Sequence, residues 1–233
     1  MAVNINNVYQ TVLTIINKEN RGYVTPDEFN RLANIAQLEI FESYFVKAVQ
    51  VAQADVTADD GANPMMVNAE KIAIFHATDN NLTLTSGVFQ YPSNFYRLET
   101  VTVNGVIADQ VSHKDIRYIN LSPLTAPVAT QPVFTRDAGG FRLYPATVTT
   151  GVEIDYLRQP AAPNWRFVID PMMNDGMPVY NAADPLAQNF ELHPSEEQDL
   201  VYKILSLAGV VIRDAEVQGV GTGKEQQVQA SEQ

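Results

Sequence analysis

His76, His113 and His193 are the side chains best suited to proton transfer or metal binding near neutral pH, and they stand far apart along the chain. None lies in a HExxH or HxH spacing that would bring two imidazoles onto one metal ion. His193 precedes Pro194, Glu196 and Glu197, and a helix cap followed by acids beside the positive helix end accounts for that group without a metal. Residues 17–28 match part of an EF-hand loop, with Gly22 at loop position 6, Val24 at position 8 and Glu28 at position 12. Position 1 is Asn17, position 3 is Glu19, and position 5 is Arg21, whose guanidinium stands where calcium requires an oxygen. The loop reads better as a turn at Gly22 that leads into a helix cap.

The neighbouring carboxylates Asp59 and Asp60, and Glu196 and Glu197, are unremarkable among 27 acids, and sequence neighbours on a helix do not share a face. Gly219, Gly221 and Gly223 alternate near the C-terminal end with no helix pattern after them, so they build no phosphate cradle. With no cysteine in the chain there is no disulfide, thiolate nucleophile or cysteine-ligated metal. The expectation is a protein without catalytic residues, metal or cofactor.

Fifteen basic residues against 27 acids give a net charge of −12, which disfavours sequence-specific nucleic-acid binding because that affinity rests on phosphate neutralisation. An acidic surface is compatible with a wall along which a polyanion slides. No apolar run reaches about 18 residues and the first residues lack a signal-peptide pattern, so a soluble protein made in the cytoplasm is expected.

The elements that must position any functional surface begin with helices. Thr25, Pro26 and Glu28 form a capping box, and no glycine or proline follows until Gly61, so the spacing predicts a long helix from Pro26. Phe29, Leu32, Ala33, Ala36, Ile40 and Tyr44 make one apolar stripe on it; Leu38, Phe41, Phe45, Val49 and Ala52 make another on the opposite side. A helix apolar on two sides is sandwiched, either between layers of its own chain or between its own domain and another subunit. Ile5, Val8, Val12 and Ile15 predict a preceding helix over 6–16.

Runs at 82–85, 97–103, 106–111, 133–136, 141–144 and 152–157 read as strands of an antiparallel domain, with hairpin turns at Asn104-Gly105 and at Asp137-Ala-Gly-Gly140. The proline-rich interval 122–132 reads as a loop or arm. Residues 160–190 are proline-rich yet carry Trp165, Met172, Met173 and Tyr180, so the segment packs either on a neighbouring subunit or as a flap on its own domain. A last helix opens near Pro194, with Leu200, Ile204, Leu207, Ala208 and Val211 on one face.

The expected architecture is α+β. An N-terminal helical hairpin (1–60) precedes an antiparallel β-domain (61–160) and an irregular surface or arm segment (161–192). A C-terminal helix (193–214) packs on the hairpin, and a flexible tail (215–233) follows.

The set Val8-Tyr-Gln-Thr-Val12, Asn17-Lys-Glu-Asn-Arg-Gly-Tyr23, Pro26-Asp-Glu-Phe29 and Ala36-Gln-Leu-Glu-Ile-Phe-Glu-Ser-Tyr-Phe45 opens the chain. Together with Ile154-Asp-Tyr-Leu-Arg-Gln-Pro160, Phe190-Glu-Leu192 and Ser195-Glu-Glu197, it resembles the ring or adaptor proteins of crAss-like and related podovirus-type tailed bacteriophages. The resemblance implies a structural virion protein of the head-to-tail connector, made in the host cytoplasm and assembled as a ring of about twelve copies below the portal. It implies contacts with the portal and with other tail ring or nozzle proteins, genomic DNA as a non-specific passenger in the channel, no membrane and no catalysis. The side chains expected at interfaces are Leu38, Phe41, Phe45, Val49, Arg158, Trp165, Met172, Met173 and Tyr180. The alternatives are a more distal tail tube, nozzle or fibre-attachment protein, or a glycan-binding β module.

Overall fold

In the computed structural model, which describes residues 2–18, 23–53, 64–169 and 178–212, the helices are α1 (Ile5–Lys18), α2 (Pro26–Gln53), α3 (Pro64–Ala73), α4 (Asp115–Ile119) and α5 (Glu197–Ile212). The capping box starts α2 as its residues dictate. Thr25 Oγ1 accepts from the Glu28 N–H at 3.3 Å, while Glu28 Oε2 accepts from the Thr25 N–H at 2.9 Å and from its hydroxyl at 2.8 Å. The strands are β1 (His76–Asp79), β2 (Leu84–Thr85), β3 (Val88–Gln90), β4 (Phe95–Val103), β5 (Val106–Ile107), β6 (Asp109–Gln110), β7 (Val133–Asp137), β8 (Gly140–Tyr144), β9 (Val152–Arg158), β10 (Phe167–Ile169) and β11 (Pro178–Tyr180). The fold is α+β, and the chain divides into two units, Met1–Ile74 with Pro160–Gln233 and Phe75–Gln159.

In the first unit the stripe from Phe29 to Tyr44 on α2 is buried throughout. On the second stripe Phe41 is buried at 1% exposure, whereas Leu38 and Phe45 are half-buried. Both α3 and α5 pack on α2. The buried line of α1 is Ile5, Val8, Tyr9, Val12 and Ile16, with the neighbouring Ile15 only half-buried. The α3 helix is an addition to the sequence expectation, which assigned 61–160 to strands; its ten residues are too few for a periodicity to stand out.

Segment 160–192 returns to this unit and is held by two amides on α2. Gln37, fully buried, donates from Nε2 to the Ala161 carbonyl at 2.8 Å and accepts at Oε1 from the Glu191 N–H at 3.0 Å. Two turns earlier, Asn30 donates to the Trp165 carbonyl at 3.2 Å and accepts from the Trp165 N–H at 2.7 Å. Trp165 donates from Nε1 to Asn6 Oδ1 at 3.1 Å, and Val3 pairs with Phe190. The described parts of the segment therefore lie on their own unit. Glu196, 4% exposed, forms an ion pair with Lys71 of α3, whose ammonium lies 5.9 Å from the Tyr44 ring centroid.

The second unit contains two sheets, ordered β1-β9-β4-β5 and β2-β3-β8-β7-β6. Alternation places Val152, Ile154 and Tyr156 of β9 in one core with Phe134 of β7 and with Phe141 and Leu143 of β8. Both expected hairpins form: Val103 pairs with Val106 across Asn104-Gly105, whose φ values of 49° and 82° suit a type I′ turn, and Asp137 pairs with Gly140. Gly140 is required because a Cβ there would lie 1.9 Å from the Phe89 carbonyl oxygen. One pairing departs from the antiparallel expectation. β6 and β7 are parallel, so residues 111–132 form the crossover between them.

Replacing Gln37 by Ala removes both partners from the Ala161 carbonyl and the Glu191 N–H, and urea unfolding should show a loss of about 2–4 kcal/mol. Glu42→Ala on the exposed side of α2 should stay within about 0.5 kcal/mol. Hydrogen bonds from the Thr25 backbone and hydroxyl hold the Glu28 carboxyl below its ordinary pKa. The cap therefore contributes fully above the ordinary glutamate value and is lost as pH falls through the depressed one. In Thr25→Ala the Glu28 titration followed by NMR should move back toward the ordinary value.

Candidate functional site

The histidines are each engaged locally. His76 Nδ1 on β1 lies 2.8 Å from Glu99 Oε2 on β4, His113 Nε2 donates to the Arg136 carbonyl at 2.8 Å, and His193 Nδ1 accepts from the Ser195 N–H at 3.2 Å. Among the described residues no three His, Asp or Glu side chains are grouped to hold a metal ion. Perturbed titrating groups sit where the fold needs them. Burial, then the adjacent Tyr23 hydroxyl, pushes the Tyr9 phenol far above its usual range, and its hydroxyl donates to the Val24 carbonyl at 3.2 Å. The Leu186 N–H and then Arg166 hold Asp184 below the ordinary carboxylate range; Arg166 Nε contacts it at 3.1 Å and closes the turn after β11.

The side chains expected at interfaces fall into three groups. Phe41 and Trp165, each 1% exposed, are core residues and have no surface left for a neighbour. For Trp165 the reason is visible in its contacts: the Tyr9 ring lies at 4.4 Å, and Phe167 and Tyr180 stack on it at 5.8 Å each. Leu38, Phe45, Arg158 and Tyr180 are half-buried, with Phe45 edge-on to Phe41 at 5.1 Å and Arg158 at 5.9 Å from the Phe75 ring. Met172 and Met173 lie outside the described residues, as do the side chain of Val49, calcium-loop residues 19–22 and the tail from 213.

Exposed apolar side chains among the described residues form one group on the returning segment, at Val168, Ile169, Val179 and Leu186, and another on the crossover 111–132. Tyr118, Leu121, Leu124 and Val128 are 63%, 78%, 94% and 50% exposed. His113, Lys114 and Arg117 join Tyr118 and Leu121 around a shallow concavity of about 490 Å³. The backbone that presents them is fixed. Ile116 is buried at 4% exposure, the Ser112 hydroxyl accepts from the Asp115 N–H at 3.1 Å, and the Thr125 hydroxyl donates to the Ile119 carbonyl at 3.0 Å. Sequence reasoning missed these residues as a site. The available signal was leucines in a proline-rich stretch that no sheet could bury.

These features display large apolar side chains on a hydrogen-bonded loop, the chemistry of a protein-contact surface. No curated protein matches the chain in sequence. A family model described as SU10 adaptor protein matches residues 9–184, most of the chain and a stretch that includes the capping box, the β-unit and the returning segment with Trp165. The chain thus belongs to the SU10 adaptor protein family and is a structural adaptor of a tailed bacteriophage.

Proposed function

We propose that this adaptor forms a ring in the head-to-tail connector, seated below the portal and supporting the channel through which the genome leaves. The family match over residues 9–184 carries the reading. Three physical features support it. Exposed apolar side chains on an anchored loop suit permanent contacts, and copies that meet head to tail close into a ring when the repeated rotation closes. A net charge of −12 repels a polyanion and keeps a channel wall from holding DNA. The polar side chains that resemble reaction machinery, the histidines and Glu196, are engaged in local hydrogen bonds and an ion pair, so the proposed role is without catalysis. The portal above and the next tail ring or nozzle protein below are the proposed partners. Leu38, Phe45 and Tyr180, half-buried in the single chain, are the proposed additional contacts among the side chains expected at interfaces.

Light scattering or native mass spectrometry on the purified chain, alone and mixed with the portal protein of the same phage, tests the reading. A closed ring of about twelve copies, or a monomer that assembles on the portal, is expected. A monomer indifferent to the portal would overturn it.

A further inference from the structure

The crossover 111–132 has an unusual combination of properties for this chain. It carries Lys114 and Arg117 against the single acid Asp115, in a protein whose net charge is −12. It also displays the most exposed leucine among the described residues, Leu124 at 94%, with Leu121 at 78%. Ile116 in the core and the His113 bond to the Arg136 carbonyl at 2.8 Å hold the loop in place, so docking it would cost little ordering.

The opposite character appears on the outward side of α2. At 100° per residue Glu28, Ile35, Glu42 and Val46 fall on one line, flanked by Arg31 and Glu39. All six are exposed, Ile35 at 44% and Val46 at 58%. Glu28 is engaged in the cap and Glu39 pairs with Lys203 at 2.9 Å. Around Glu42 the face is apolar and acidic, with Arg31 toward its N-terminal end. Neither apolar stripe read from the sequence includes Ile35 or Val46, because both sit in the gap between the stripes.

We propose that the crossover of one copy docks on the outward face of α2 of the next, Leu121 and Leu124 lying against Ile35 and Val46, with Lys114 and Arg117 toward Glu42. The occupant is a second copy of this chain, chosen by charge complementarity: a basic-apolar surface and an acidic-apolar surface present on every copy. Two different patches in contact form a heterologous interface, the kind that closes rings. This inference rests on the ring reading above and names the contact that would build the ring.

The absence of cysteine gives a direct test. Full-length Leu124→Cys and Val46→Cys proteins are purified separately, mixed before assembly, assembled alone or on the portal, oxidised mildly and resolved on a non-reducing gel, with Leu186→Cys, 62% exposed, as the collision control. A covalent dimer in the Leu124→Cys plus Val46→Cys mixture is expected, with none from either protein alone or from Leu124→Cys with Leu186→Cys. Rings of the expected mass without that cross-link, or Leu124→Cys cross-linking to itself, overturn this contact and leave the ring reading standing. No oligomer in either condition overturns the ring reading and this contact with it.

Discussion

Two amides on one helix, Asn30 and Gln37, set where the chain returns after its β-unit, and most of the first unit depends on that placement. An amide buried without partners costs more than a hydrogen bond returns, so Gln37 at zero exposure requires a carbonyl and an N–H at defined points. Ala161 and Glu191 supply them from positions far apart in sequence. Once they are bound, Pro160 to Trp165 and Phe190 to Leu192 have one register against α2 and α1, and the indole of Trp165 closes the space between them. Apolar packing alone would tolerate sliding of an irregular segment. Directional bonds to its backbone do not.

The β-unit follows a different logic. Its hairpins are local and are set by turn residues that accept positive φ, which is why Asn104 and Gly105 lead the chain back at once. The parallel contact of β6 with β7 cannot be made by a hairpin, and it forces an excursion between them. That topological demand produces the anchored loop with its exposed leucines. An accident of strand direction thus becomes a displayed surface, and the proline content that keeps the excursion out of the sheet also stiffens it.

For an adaptor this division is apt. The returning segment places Trp165 inside one unit, while the excursion buries Ile116 and exposes Tyr118, Leu121, Leu124 and Val128. An assembly protein needs rigid bodies that present unlike patches at fixed positions, since a ring closes only if each contact repeats the same rotation. Histidines and acids are then free to serve as caps and ion pairs. The Lys71 and Glu196 pair joins α3 to the start of α5, a role invisible in a sequence where Glu196 stands among acids suited to a helix start.

Local patterns are legible in the residues themselves. The Thr25–Glu28 cap, the buried stripe from Phe29 to Tyr44, both hairpin turns and the alternating strands all arise between residues near one another in sequence, and the family resemblance rests on many of those same stretches. Short elements escape notice because α3, β1 and β3 are too brief for a period to emerge. Phe41 and Trp165, expected at interfaces, are buried within the single chain, because apolar character says that a side chain leaves water and says nothing about whose atoms replace it. By itself the sequence determined the fold class, the longest helix and its apolar sides, and the hairpins, since these depend on propensity and periodicity. Only the tertiary structure decided that Trp165 is core and Leu124 is surface, because burial depends on which distant segments return to cover a residue, and here two hydrogen-bonded amides and one parallel strand pair made that choice.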